Sequence, residues 1–229
     1  MSFMIEAFTE VLKGVPYTIA VAVVAMIAGL LIGSLFALIQ FQRVPVLSQI
    51  IVVYNSFMRS TPLIVQLFIF YYGLPALILG LNARFNWQLN PDMFHPLMIA
   101  LIAFSLHAVA YLSESIKGGL LAVSQDQYEA AQTIGLSKWH LYTRIVLPQA
   151  YGYALPNIEN QFIALIKWTS LAFAIQIPEI MGVSAVIANE GYRFVEVYTI
   201  AVIFYWALAI VLEYLFHRIE GRTTRYLRA

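Results

Sequence analysis

Residues 15–42 read VPYTIAVAVVAMIAGLLIGSLFALIQFQ, which is 28 positions without a single charged side chain. About 20 helical residues cross the hydrocarbon layer of a bilayer, so this run can span one. Lys13 precedes it, as in a secretory signal, but so do Glu6 and Glu10. The apolar stretch is also about twice the length of a signal's hydrophobic region, so a retained span is expected rather than a cleaved leader.

The pattern recurs along the chain. A second uncharged run, Leu63 to Leu81, covers 19 residues. A third covers Pro96 to Ser113. A fourth, Ala150 to Gln176, is interrupted by Pro156, Glu159 and Lys167, and a fifth runs from Val197 to Leu212. Of 229 residues 61% are hydrophobic and 11% charged, whereas a soluble domain is about half apolar and about a quarter charged. One all-α integral membrane domain over residues 1–229 is therefore expected. Its five spans fall at about 15–42, 47–81, 96–116, 145–176 and 197–217, with a cytoplasmic loop at about 122–144.

Positive charge sets the orientation. With the amino end outside, the inner segments hold Arg43, Lys117, Lys138, Arg144, Arg218, Arg222, Arg225 and Arg228, eight of the 13 Lys and Arg. The outer segments hold only Lys13, Arg84 and Arg193, beside Glu6, Glu10, Asp92, Glu179, Glu190 and Glu196. The carboxyl end is expected in the cytoplasm. A net charge of +1 supplies no basic field for nucleic acid. The absence of cysteine excludes thiolate metal sites and thiol nucleophiles. The four histidines (His95, His107, His140, His217) have no metal-binding spacing, and no acid pair or serine triad points to enzyme chemistry.

The longest polar segment on the inner side, Ser124 to Lys138, predicts a helix–turn–helix elbow. Ser124 and Gln127 fit a capping box, with Asp126 in the first turn. Gly135 suits the left-handed residue that closes a helix. Ser137 can cap a second helix running towards Arg144, and Leu147-Pro148 opens the next membrane segment. Ala130 and Ala131 offer a small-residue surface that another backbone could approach. The elbow reads either as a docking element for a soluble partner or as an interfacial loop. Gly29 and Gly33 form a G-x-x-x-G that suits ordinary helix packing better than a dedicated dimer face.

Several stretches match a known family. Glu129-Ala130-Ala131, Gly135, Ile145 and Leu147-Pro148 resemble the E-A-A…G…I-x-L-P loop of ABC importer permeases. Arg59-Ser60-Thr61-Pro62-Leu63 with Val65-Gln66-Leu67 resembles the R-G-T-P-L-x-V-Q-L segment of polar amino acid permeases. Ala110-Tyr111, Glu114, Lys117 and Gly118-Gly119 resemble A-Y-x-x-E-x-x-R-G-G, and Asn160 to Leu171 resembles N-x-x-I-x-L-x-K-x-T-S-L. The chain is similar to histidine and glutamine permeases over residues 15 to 216. Departures are Ser60 for glycine, Asp126-Gln127 for Gly-Gln, and Gln161 and Trp168 where many relatives carry acids. The last two favour an uncharged zwitterion such as glutamine or cystine over arginine.

The resemblance implies the type I ABC importer permease fold and a non-catalytic subunit of a bacterial inner-membrane, multi-pass transport complex. The chain contains no G-x-x-x-x-G-K-[ST] phosphate loop, so ATP and Mg would be bound by a partner ATPase dimer. A second permease, identical or paralogous, and an extracytoplasmic solute-binding protein complete the implied assembly, with a polar amino acid as cargo. Glu129, Ala130, Ala131, Gly135, Leu147 and Pro148 would couple to the ATPase. Charges at bilayer depth face a cavity, a partner or water. Arg59, Thr61, Pro62, Asn160, Gln161, Lys167, Thr169 and Ser170 are therefore candidates for the substrate path. The alternative for Arg59 and Lys167 is a structural role, paired with Glu159, Glu114 or helix carbonyls. His107, mid-span, is expected to hydrogen-bond another helix. A gradient-driven secondary transporter and a channel-type subunit are the competing functions; the first would need midplane binding on broken helices, often in inverted repeats, and no convincing repeat relates the halves.

Overall fold

Without water to satisfy them, backbone N–H and C=O groups at bilayer depth must bond within the chain. The computed structural model describes residues 2–223, and these wind into ten α-helices: α1 (Ser2–Leu12), α2 (Val15–Phe41), α3 (Leu47–Ser60), α4 (Leu63–Phe85), α5 (Pro96–Ala122), α6 (Gln125–Thr133), α7 (Lys138–Leu141), α8 (Leu147–Trp168), α9 (Ile180–Gly191) and α10 (Phe194–Thr223). Arg225 and Arg228, counted in the charge bias, lie outside the described residues, as does the side chain of Arg222. Among the described residues four segments are long and apolar enough to cross a membrane: Phe3–Phe41, Leu63–Phe85, Pro96–Ala122 and Phe194–Glu220. A bent pair, Lys138–Ile175 and Ile180–Gly191, meeting at 51°, passes the same test only when its two parts are taken together.

α5 is the centre of the bundle. Ala100, Ala103, Phe104, Ala108, Leu112 and Ile116 are fully buried there, with α2 along one side and α8 along another. The G-x-x-x-G of α2 is what brings those helices close. A Cβ added at Gly29 would stand 2.5 Å from Leu112 Cδ1, and one at Gly33 would stand 3.0 Å from the Ser113 amide nitrogen. The motif is a contact inside the chain, where small residues let backbones approach.

Three features depart from the sequence-based expectation. The span expected at 47–81 is two helices, because Thr61 is extended (φ −100°, ψ 138°) ahead of Pro62; a residue before proline is pushed out of the helical region. Only α4 has the length and hydropathy of a crossing. The chain before residue 15 is itself helical, and Ala7 and Val11 of α1 join Ile180, Ala188, Val197, Ile200, Ala201 and Phe204 in a second buried cluster with α9 and α10. Glu179, assigned above to an outer segment, is fully buried. Its carboxylate caps α9 by accepting from the Met181 and Gly182 amides at 3.0 and 2.7 Å, and from the Tyr205 hydroxyl at 2.6 Å.

The prolines act unequally. Pro62 breaks the chain between α3 and α4, and Pro178 follows a 3-10 segment, Thr169–Ile175, that ends with Gln176 in the left-handed conformation. Ahead of Pro148 the helix widens into a π turn, Tyr142–Val146. A wider turn relieves the clash between a proline ring and the carbonyl one turn earlier. Pro75 and Pro156 stay inside unbroken helices.

Candidate functional site

The elbow forms as its local chemistry dictates. Ser124 caps α6 by accepting from the Asp126 amide at 3.3 Å, one residue earlier than a capping box would place the bond. Gly135 takes φ +72°. Its amide donates to the Gln132 carbonyl at 2.9 Å and that of Leu136 to Ala131 at 3.0 Å, the paired bonds that close a helix on a left-handed residue. Ser137 then caps α7 through the His140 amide at 3.4 Å.

This elbow is anchored to the bundle. Tyr128 stacks on Phe41 of α2 at 6.4 Å and meets Tyr142 edge-on at 6.4 Å. Burial and the neighbouring Tyr142 hold its phenol above the usual tyrosine range. Ala131, one turn on, is 2% exposed. Residues three apart share a helix face, so Ala131 joins Tyr128 on the inner side. It does not lie with Ala130 on the outer surface, which corrects the small-residue patch expected above. Glu129, Ala130 and Gly135 are exposed. So are Ile134 and Trp139, at 75% and 74%, two large apolar side chains that the motif reading passed over. At the far side Leu147 is half-buried and Pro148 exposed. Pro148 lines a cavity of about 370 Å³ with Gln127, Arg144, Ile145 and Gln149.

A polar lane runs along one side of α5, buried at His107 and half-buried at Tyr111, Glu114 and Lys117. At the α3–α4 break the Gln66 amide, 2% exposed, donates to the Met58 carbonyl at 2.9 Å and to the Thr61 carbonyl and hydroxyl at 3.1 and 2.8 Å. Its oxygen lies 3.3 Å from His107 Nδ1, the helix-to-helix bond expected for that histidine. The His107 ring packs against both Tyr111 and Trp168, at 4.8 and 5.0 Å, and those two rings meet each other at 5.8 Å. These residues, with Arg59, Thr61, Pro62 and Leu171, line a cavity of about 340 Å³. Arg59 lies over the Tyr111 ring at 5.5 Å and also lines a second cavity, of about 490 Å³, with Asn55, Glu114 and Lys117. The two cavities share Arg59, Ser60 and Tyr111. From His107 to Lys117 the lane rises about 15 Å along the helix.

The structure therefore brings Arg59, Thr61 and Pro62 together and places the α8 candidates differently. Asn160 and Lys167 are exposed, seven residues apart on one stripe. Lys167 forms no ion pair among the described residues, and Glu114 pairs instead with Lys117 at 3.7 Å. Gln161 is 8% exposed and turned inward, and its Nε2 has no partner among the described residues. Thr169 and Ser170 return their hydroxyls to the Ile166 and Lys167 carbonyls at 2.7 and 2.8 Å, taking up groups loosened where α8 tightens into the 3-10 segment. Asn55 and Gln40 were missed. Asn55 Nδ2 donates to Ser113 Oγ and Glu114 Oε1, both at 2.8 Å, and Lys117 Nζ donates to Gln40 Oε1 at 2.9 Å. Their partners lie 58, 59 and 77 positions away, beyond any local pattern. Gln66 carried a signal, as a lone amide in an uncharged run.

Residues 29–225 match the family of binding-protein-dependent transport system inner membrane components. The chain belongs to that family. The permease is 38% identical over 228 residues to the Probable amino-acid permease protein YxeN of Bacillus subtilis, covering 97% of this chain and 96% of that one. It is 35% identical over 211 residues to the Probable amino-acid ABC transporter permease protein PatM of Vibrio harveyi, covering 92% and 90%. Among solved structures, a crystal structure of an amino acid ABC transporter with histidines superposes with a TM-score of 0.79 at 24% identity, covering 96% of both chains. The fold is that of type I ABC importer permeases, and the permease is a multi-pass inner-membrane protein.

Proposed function

We propose that the permease is the passage subunit of an ATP-driven importer of polar amino acids. The observation that carries this reading is the elbow. α6 is fastened to the bundle by Tyr128 and Ala131, while Glu129, Ala130, Ile134 and Trp139 face outward. A fastened elbow that leaves two large apolar side chains uncovered beyond its first helix is a surface held for another chain. The relatives, named as amino-acid permeases, support both the cargo class and the kind of partner. In this reading the amino end lies outside and the elbow and carboxyl end lie in the cytoplasm.

ATP and Mg are held by a partner ATPase dimer, and this chain performs no hydrolysis. A solute-binding protein delivers cargo from outside. A second permease, a copy or a paralogue, closes the path, because five crossings cannot enclose one alone. Closure of the ATPase pair draws the elbows together and rocks the bundles between inward-facing and outward-facing states. Glu129, Ala130, Gly135, Leu147 and Pro148 transmit that movement, with Ala131 fastening the elbow from beneath. Arg59, Thr61 and Pro62 line the path. Asn160 and Lys167 stand on its α8 side, Gln161 and Thr169 support it from within the bundle, and Ser170 shapes the break.

The test is reconstitution of the complete complex in proteoliposomes, comparing uptake with ATP hydrolysis. ATP-dependent uptake of a polar amino acid supports the reading. Uptake driven by an ion gradient without the ATPase, or an elbow that is labelled from the outside of intact cells, overturns it.

A further inference from the structure

We infer that the cavity between α3 and α5 is a resting site for the zwitterionic head of an amino acid, with the α-carboxylate on Arg59 and the α-ammonium on Glu114. This rests on the amino acid import reading above and specifies what the path recognises. The cavity, of about 490 Å³, falls within the range of roughly 300–1,000 Å³ that ligand pockets occupy. Its charged walls are two cations, Arg59 and Lys117, and one carboxylate, Glu114. A simple cation would meet two like charges there, and a simple anion would face Glu114. A ligand bearing both signs matches both walls.

The geometry leaves each group free for its half of the ligand. Among the described residues Arg59 has no carboxylate partner; the ion pairs formed there are Lys13–Glu10 and Lys117–Glu114. The guanidinium lies over the Tyr111 ring at 5.5 Å, a contact that uses none of its N–H donors and leaves them for a two-pronged bond to a carboxylate. Glu114 is aimed by Asn55, which is 2% exposed and bonds Oε1 at 2.8 Å. Oε2 lies 3.7 Å from Lys117, beyond hydrogen-bond length, so it can still accept from an ammonium. Lys117 itself is drawn towards Gln40. Asn55 Oδ1 is buried with no partner among the described residues. The ligand's side chain would point into the adjoining cavity, against Trp168 and Leu171. The site thus holds the part every amino acid shares and leaves discrimination between side chains to other surfaces.

The test uses the permease–ATPase complex in phosphatidylcholine nanodiscs, without nucleotide or binding protein, probed by saturation-transfer NMR with a panel of polar amino acids. The best-bound member is compared with its α-amide and its N-acetyl derivative. In the wild type each derivative binds at least about tenfold more weakly, the cost of one charged hydrogen bond. Arg59→Gln abolishes the preference over the α-amide and keeps the preference over the N-acetyl form, and Glu114→Gln does the reverse. Should Arg59→Gln fail to assemble, Arg59→Lys keeps the charge, loses the fork and weakens only the carboxylate preference. No binding by any panel member, or variants that shift both preferences equally, overturns the site. So does Arg59-dependent displacement of the amino acid by phosphatidylglycerol, which would make the pocket a lipid-headgroup site. Wild-type ATP-driven uptake separates the two levels: if it occurs while the preferences fail to separate, only this site falls, and if it is absent, the import reading falls first.

Discussion

Two of the turns in this chain are built in opposite ways. The turn between α8 and α9 is closed inward. Glu179 is fully buried and accepts three hydrogen bonds, Thr18 Oγ1 takes the Ile180 amide at 3.4 Å, and Ile175, Ile177 and Ile180 are buried around it. The turn at Gly135 is closed only along its backbone; a Cβ placed there would meet nothing within 4 Å. Its large neighbours Ile134 and Trp139 face out. The first turn spends its side chains on the fold itself, whereas the second satisfies only its backbone and leaves its large apolar side chains uncovered.

The contrast breaks most severely at Glu179. Glu179→Ala strands the Tyr205 hydroxyl and the Met181 and Gly182 amides in a buried site, a loss on the order of 3 kcal/mol or more. Thermal unfolding of the purified complex should fall steeply, with Glu179→Gln intermediate because its amide oxygen still accepts. A melting temperature unchanged by Glu179→Ala would show that the latch is incidental.

Gly135→Val should act differently, leaving insertion and melting nearly unchanged. An L-residue in the left-handed region costs about 1–2 kcal/mol, and at an open turn that cost shows as a rearranged elbow. Uptake should drop at least about tenfold, as the strain corresponds to a shift of that order in an equilibrium, while ATP hydrolysis continues. Gly135→Asn, which tolerates the same conformation, should retain most uptake. Equal transport by both variants would mean that the turn's shape does not matter.

Smaller effects sharpen the assignment of the outer face. Trp139→Ala should weaken co-purification with the ATPase by about 2 kcal/mol, the scale of a buried aromatic anchor, and Glu129→Lys should weaken it through charge reversal at the same contact. Neither should alter the melting of the permease itself. Lys167→Met should be the mildest, within about 0.5 kcal/mol in unfolding, because Lys167 is exposed and forms no ion pair among the described residues.

Much of this was legible in the linear chain. The run from Val15 to Gln42 becomes α2 within one residue, and Ser124, Gly135 and Ser137 sit at the ends of α6 and α7 as their side chains and φ preferences require. These features are local: a cap, a left-handed glycine and an uncharged run each act within a few residues. The inward turn of Ala131, the burial of Glu179 and the Asn55–Glu114 bond were not legible, since each depends on an element that arrives from a distant part of the chain. Glu179 misled for a further reason. A lone acid between two apolar runs reads as a solvent-facing charge until its three donors are in view.

By itself the sequence determined the solvent this protein lives in, the apolar runs able to cross it and the local shape of the elbow, because backbone self-satisfaction in lipid and local capping leave little choice. The tertiary structure alone decided which polar groups look inward as fastenings and which line an accessible lane. That choice depends on how α3, α5 and the end of α8 are rotated against one another. A helix's own period says which residues share a face, and only the packing of its neighbours says what that face meets.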